Sequence, residues 1–184
     1  MRIIAGDNRG LTLASVGKGD PGAQLRPTSD RVRESLFNVL RSHGVPDSDT
    51  RVLDLFAGTG ALGLEALSRG AAQATFVDDG RVALGLIRDN IAKTRRADQA
   101  TVIARSALLL PQATTPCDLI FLDPPYGRAL GQKALEAAQL GGWIAPGAMI
   151  VWEESAAQPV PAGFTLVDQR RYGDTWITLL EAAQ

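Results

Sequence analysis

Arg51-Val52-Leu53-Asp54-Leu55-Phe56-Ala57-Gly58-Thr59-Gly60-Ala61-Leu62-Gly63 is the stretch that decides the fold. Arg51 to Phe56 is apolar enough for a buried strand, and Ala61 to Arg69 reads as a short helix that stops at Gly70. Between them lies a literal G-x-G-x-x-G, Gly58 to Gly63. Glycines at such a junction let the backbone turn tightly and bring a ligand against main-chain N–H groups at a helix N-terminus.

The same rhythm continues on the C-terminal side. Ala74 to Val77 reads as a second strand, and Val82, Leu86, Ile87 and Ile91 follow at helical spacing. Thr101 to Ala104 is a third strand and Asp118 to Leu122 a fourth; residues 129–140 look helical, and Ala148 to Trp152 is a fifth strand. Phe164 to Val167 and Thr175 to Leu180 flank the turn signal Tyr172-Gly173-Asp174 and predict an antiparallel hairpin. Strands alternating with helices imply an α/β fold, doubly wound around a mainly parallel, seven-stranded Rossmann-like sheet.

On the N-terminal side, residues 1–45 read as a separate extension and 46–184 as the main domain. Ile3-Ile4 and Leu11 to Leu13 suit a small hairpin across Gly6 to Gly10, and residues 15–27 read as loop. A helix capped by Thr28 or Asp30 follows, with Val32, Leu36, Val39 and Leu40 on one face, up to Gly44. Arg31 and Arg33 fall off that apolar stripe.

The 184 residues carry a formal net charge of −1, from 19 Lys+Arg against 20 Asp+Glu, which as a whole argues against a nucleic-acid binder. The distribution argues otherwise. Residues 1–45 hold seven basic and four acidic side chains (+3), and residues 85–105 hold five and two (+3). Two basic blocks on a neutral chain can form one positive face, and solvated helix faces are the plainer alternative. One cysteine excludes an internal disulfide, and one cysteine with one histidine argues against a zinc site. No apolar run reaches the roughly 18 residues of a membrane span, and no signal-peptide stretch opens the chain, so a cytoplasmic location is expected.

Asp78 closes the second strand, 20 residues after Gly58, and suits a ribose hydroxyl. Taken alone the glycine loop fits a nicotinamide or flavin fold, so a nicotinamide-dependent oxidoreductase is the alternative from another class. Asp54 points elsewhere, because a pyrophosphate loop has no need of an acid inside the preceding strand. It suits the ammonium of an amino-acid-like cofactor tail, such as that of S-adenosylmethionine. The end of strand four decides the matter with Asp123-Pro124-Pro125-Tyr126. In an open sheet this loop faces the glycine loop across the crevice. An exocyclic nucleobase amine is a poor nucleophile because its lone pair is conjugated into the ring. Bonds from its N–H groups to the Asp123 carboxylate and the Pro124 carbonyl would localise that pair, while the face of Tyr126, not its hydroxyl, stacks on the base.

Asp-Pro-Pro-Tyr resembles the (Asn/Asp)-Pro-Pro-aromatic motif of amino-methyltransferases. Arg2 to Gly6, Leu25 to Asn38 and Ala61 to Gly70 resemble, more specifically, the bacterial 16S rRNA (guanine(966)-N(2))-methyltransferase family, and the match extends to Tyr172-Gly173-Asp174-Thr175. The resemblance implies S-adenosylmethionine held by Asp54, Phe56, Ala57, Gly58, Gly60, Asp78, Ser106 and Ala107. It implies Asp123, Pro124, Pro125 and Tyr126 as the catalytic loop. Arg26, Arg31 and Arg33 of the basic N-terminal segment are expected to grip RNA phosphates, with closure of that segment over the cofactor pocket as the alternative. The resemblance further implies 16S rRNA in an assembling 30S subunit as substrate, met by a monomer without metal or membrane. Three positions depart from the family pattern. Asp78 stands where Glu is usual, with Gly80 where Asp follows, and Ser106 replaces an acid or amide. A DNA adenine-N6 methyltransferase shares both motifs, but 184 residues leave little room for a target-recognition segment. Cys117, Trp143, Trp152 and Trp176 read as packing residues, and His43 as a helix C-terminal residue.

Overall fold

A computed structural model describes residues 1–15 and 29–184. Its order is α1 (Asp30–Ser42), β1 (Arg51–Leu55), α2 (Ala61–Ser68), β2 (Gln73–Asp78), α3 (Arg81–Thr94), β3 (Ala100–Ala104), β4 (Cys117–Leu122), α4 (Leu130–Leu140), β5 (Ile144–Glu154), β6 (Phe164–Tyr172) and β7 (Thr175–Ala182). The strands form one seven-stranded sheet in the order β3-β2-β1-β4-β5-β7-β6. The first five are parallel neighbours, and β7 runs antiparallel to β5 and β6. The strand order reverses between β1 and β4, which puts a crevice beyond their carboxyl ends.

Period-two alternation divides the core between the two faces of the sheet. Val52, Phe76, Leu119, Phe121 and Val151 pack with Leu36, Phe37, Leu64, Leu67 and Ile87 of α1, α2 and α3. Leu53, Leu55, Ile120, Leu122 and Ile150 pack with Ala134, Leu135 and Ala138 of α4. Ile3, Leu13, Leu36, Phe37 and Leu40 lie in the first of these clusters, so the described part of residues 1–45 shares the core of the sheet. Its start is the expected hairpin in minimal form: an antiparallel Arg2–Thr12 bridge, with the Ile3 N–H donating to the Leu11 carbonyl at 3.0 Å. Phe37 of α1 meets Phe121 of β4 at 5.7 Å between centroids, under the Arg69 guanidinium at 4.7 Å.

Several boundaries differ from the sequence expectation. Ser29, not Asp30, caps α1 by accepting the Val32 N–H at 3.3 Å, and Asp30 becomes the first-turn acid; Thr28 lies outside the described residues. β5 starts at Ile144, and a register shift against β4 between Cys117 and Leu119 absorbs its extra residues. β6 runs on through Asp168-Gln169-Arg170-Arg171 because it is the edge strand, where polar side chains stay in water. No helix among the described residues is long and apolar enough to cross a membrane.

Arg33 is a correction. It faces inward on α1 and is 1% exposed. Its Nη2 donates to Asp30 Oδ1 at 2.9 Å and to the Arg2 carbonyl, and its Nε stands 3.8 Å from the buried Glu65. Glu65 also accepts from the Ile4 and Ala5 N–H groups at 2.7 and 3.1 Å and from Arg69 at 2.7 Å. Burial lowers the pKa of Arg33, against the pull of Glu65 and Asp30. Its guanidinium therefore stitches the N-terminal hairpin and α1 to α2, and it is not a solvent-facing RNA contact. Arg33→Ala removes the bonds to Asp30 and the Arg2 carbonyl and the packing of a buried side chain, while Glu65 keeps Arg69 and two amide donors, so the expected cost is about 2 kcal/mol of stability, read by urea unfolding. RNA affinity of the folded fraction should barely change; a stable variant with weakened RNA binding would reverse this assignment.

Candidate active site

The glycine turn hangs from the carboxyl end of β1. Phe56 takes a positive φ of 59° and Gly58 one of 59°, so the chain turns back at once. The Ala57 N–H donates to the Val77 carbonyl of β2 at 3.0 Å, and the Gly60 N–H to the Ala57 carbonyl at 2.7 Å. Gly60, at φ 77°, is the N-cap of α2. The last glycine serves packing. A Cβ on Gly63 would stand 2.4 Å from Phe76 Cε1, so α2 lies against β2 only because none is there.

Two carboxylates hold this turn. Asp54, 2% exposed, accepts the Gly63 N–H on Oδ2 at 3.0 Å. Asp78 accepts from Gly58 on Oδ2 at 2.9 Å and from Gly80 on Oδ1 at 2.8 Å. Burial pushes Asp54 up to about 8, against the Gly63 bond and with help from Asp78. Burial likewise raises Asp78. Ser106 and Ala107 follow β3; the Ser106 hydroxyl accepts the Leu108 N–H at 3.3 Å, and Ala107 belongs to the same buried cluster as Leu55 and Val77.

Asp123-Pro124-Pro125-Tyr126 extends from β4, the neighbour of β1, and the Asp123 N–H reaches the Leu55 carbonyl at 3.5 Å. Asp123 is raised well above the usual carboxylate range, by burial first and then by Glu153, Asp54 and Glu154. The carboxyl ends of β2, β1, β4 and β5 thus carry a row of interacting acids: Asp78, Asp54, Asp123 and Glu153. Asp54, Asp78 and Asp123 have no ion pair among the described residues. Such a row suits a ligand that brings positive charge. An S-adenosylmethionine ammonium and sulfonium fit that donor set, and a nicotinamide cofactor's pyrophosphate does not.

The Tyr126 hydroxyl, to which the sequence reading assigns no use, is bonded on both sides. It donates to Glu153 Oε1 at 2.9 Å and lies 3.1 Å from Thr175 Oγ1 of β7. Glu153 and Thr175 escape sequence reasoning because a Glu-Glu strand end and a hairpin Thr carry no motif. Arg31 is exposed on α1, Arg26 lies outside the described residues, and Arg33 is buried as described. Cys117 opens β4 at the end opposite Asp123, and burial pushes its thiol up to about 12.

A glycine turn on β1, acids on β1 and β2, and an Asp-Pro-Pro-Tyr loop on β4 together define a class I methyltransferase. The family model described as "Conserved hypothetical protein 95" matches residues 1–181. The chain is 42% identical over 170 residues to the ribosomal RNA small subunit methyltransferase D of Escherichia coli, covering 90% of this chain and 82% of that protein. The Haemophilus influenzae protein of the same name is 35% identical, covering 94% and 89%. The solved structure of a putative methyltransferase, yhhF, from Escherichia coli superposes with a TM-score of 0.85 at 39% identity, covering 100% of this chain and 99% of that one. The chain belongs to the ribosomal RNA small subunit methyltransferase D family, and it is an rRNA methyltransferase.

Proposed function

We propose that the protein transfers a methyl group from S-adenosylmethionine to the exocyclic N2 amine of a guanine in the 16S rRNA of an assembling 30S subunit, acting as a cytoplasmic monomer. The observation that carries this reading is the place of Asp123 to Tyr126, beside the glycine turn and among the acids of β1 and β5. When bound, S-adenosylmethionine supplies a methyl group made electrophilic by its sulfonium. Asp54 and Asp78 would hold the cofactor's cationic tail and ribose, and Phe56, Ala57, Gly58, Gly60, Ser106 and Ala107 are the other residues that would hold it. The target base leaves its stack at a cost of a few kcal/mol, part of which Tyr126 recovers by stacking. The Asp123 carboxylate and the Pro124 carbonyl would accept the two amine N–H bonds and so turn the nitrogen lone pair toward the methyl group; as the N–C bond forms the methyl–sulfur bond breaks, S-adenosylhomocysteine leaves, and the surplus amine proton passes to the Asp123 carboxylate. The names of the curated relatives support small-subunit rRNA as substrate.

The test is a panel of small-subunit particles, naked 16S rRNA and duplex DNA with labelled cofactor, followed by nucleoside mass spectrometry. N2-methylguanosine from rRNA is the expected product, and N6-methyladenine from DNA would overturn the reading. Arg31, exposed one turn before the Ser35–Tyr172 contact, supplies a phosphate contact. Arg31→Glu should weaken RNA binding and lower the slope of log affinity against log salt by about one, with S-adenosylhomocysteine affinity kept. An unchanged salt slope would remove Arg31 from the interface.

A further inference from the structure

Stacking on a nucleobase needs only a ring face, and a phenylalanine supplies one. The edge of Tyr126 is nonetheless tied down. Its hydroxyl is bonded to Glu153, 5% exposed on β5, and to Thr175 at the start of β7. The next residue of the loop is held from the same strand, because the Gly127 N–H donates to Glu154 Oε1 at 3.4 Å. Thr175 pairs across the hairpin with Tyr172, whose hydroxyl lies 2.9 Å from Ser35 Oγ on α1. The catalytic loop, the C-terminal hairpin and α1 therefore meet through hydroxyl and carboxyl groups at one end of the sheet.

We propose that Glu153 and Thr175 are positioning residues of the base pocket, holding the Tyr126 ring by its hydroxyl in the one orientation that stacks on the extruded guanine. The proposal rests on the base-methylation reading above. A ring fixed before the RNA arrives loses no rotamer freedom on binding. A ring freed from its two bonds must be ordered by the substrate, at roughly the cost of one immobilised side chain. The loss therefore falls on KM for the RNA rather than on kcat. Glu153 has a second effect, because with Asp54 and Glu154 it faces Asp123 and opposes its ionisation. Tyr126 also faces Asp123, and no cation does among the described residues. Glu153→Gln keeps an acceptor for the Tyr126 hydroxyl while removing the charge, so it separates the two effects.

The experiment measures KM for the small-subunit particle, the pH profile of kcat, S-adenosylhomocysteine affinity and melting temperature. Tyr126→Phe and Thr175→Val are each expected to raise KM about three- to tenfold, with S-adenosylhomocysteine affinity unchanged. The double variant should be no worse than Tyr126→Phe alone, because both break one arrangement. Glu153→Gln should leave KM near wild type and move the acid limb of the kcat profile to lower pH, while Glu153→Ala should raise KM. The proposal fails if Tyr126→Ala loses RNA binding but Tyr126→Phe and Thr175→Val keep the wild-type KM. It fails equally if the variants melt early and lose S-adenosylhomocysteine together. A Tyr126→Ala enzyme that methylates rRNA with wild-type constants would instead overturn the assignment of this loop to the base.

Discussion

Asp123→Ala is expected to lower kcat by about two to four orders of magnitude, the range lost when a positioned acid–base group is removed. S-adenosylmethionine affinity should survive, because Asp54 and the glycine turn are untouched. Stability should move the other way. Asp123 sits among Glu153, Asp54 and Glu154, and burial raises it well above the usual carboxylate range. A carboxyl raised in the folded state stabilises the fold while both states are protonated, and that contribution is lost as pH rises toward the folded pKa. At neutral pH Asp123 therefore works against folding, and the near-isosteric Asp123→Asn should melt at or above wild type. Single-turnover methylation with melting curves beside it checks both arms. If Asp123 only shaped the loop, its variants would melt early and lose cofactor and rate together. A fully active, normally stable Asp123→Ala enzyme would refute the mechanism.

The same carboxylates show what a sequence discloses and what it withholds. Strands β1 and β4 are legible because parallel strands covered on both faces are continuous apolar runs, such as Leu119-Ile120-Phe121-Leu122. The glycine turn and the Asp-Pro-Pro-Tyr loop are legible because each needs particular residue types at consecutive positions. Arg33 is misread because helical periodicity assigns an arginine to water, and only the fold brings the buried Glu65 of α2 within reach. β6 is cut short at Val167 because its polar continuation looks like loop until β7 pairs with it. The Tyr126 tether is hidden for the same reason: Glu153 and Thr175 reach the ring only through the β5–β7 pairing, in which Glu153 lies opposite Ile177. Local pattern thus reports the chemistry held within one loop, and misses the chemistry assembled between strands.

Asp54→Asn is expected to abolish the stabilisation that S-adenosylmethionine gives, while making the ligand-free protein more stable at neutral pH. The acid is 2% exposed, bonds the Gly63 N–H at 3.0 Å and is pushed up to about 8 by burial. In the unfolded chain it titrates near the usual value of about 3.9. Below that value both states hold the proton and the folded state keeps its full benefit. Between the two values the unfolded chain releases a proton that the folded state retains, so stability falls as pH rises. Each pH unit in that window shifts the balance by about 1.4 kcal/mol. An asparagine still accepts the Gly63 bond and does not titrate, though its buried amide N–H groups carry a fixed cost of their own. The slope is therefore the decisive quantity. The stability of Asp54→Asn relative to wild type should climb by on the order of 1 kcal/mol per unit from pH 5 to pH 8 and then level off. A cofactor ammonium drawn to the ionised acid reverses the cost, so in wild type the ligand-induced melting shift should grow over the same window. Thermal melts of both proteins across this range, with and without S-adenosylmethionine, measure all of it. An equal ligand-induced shift in Asp54→Asn would remove the residue from the cofactor site, and a flat stability difference with pH would show that Asp54 is ionised in the ligand-free fold.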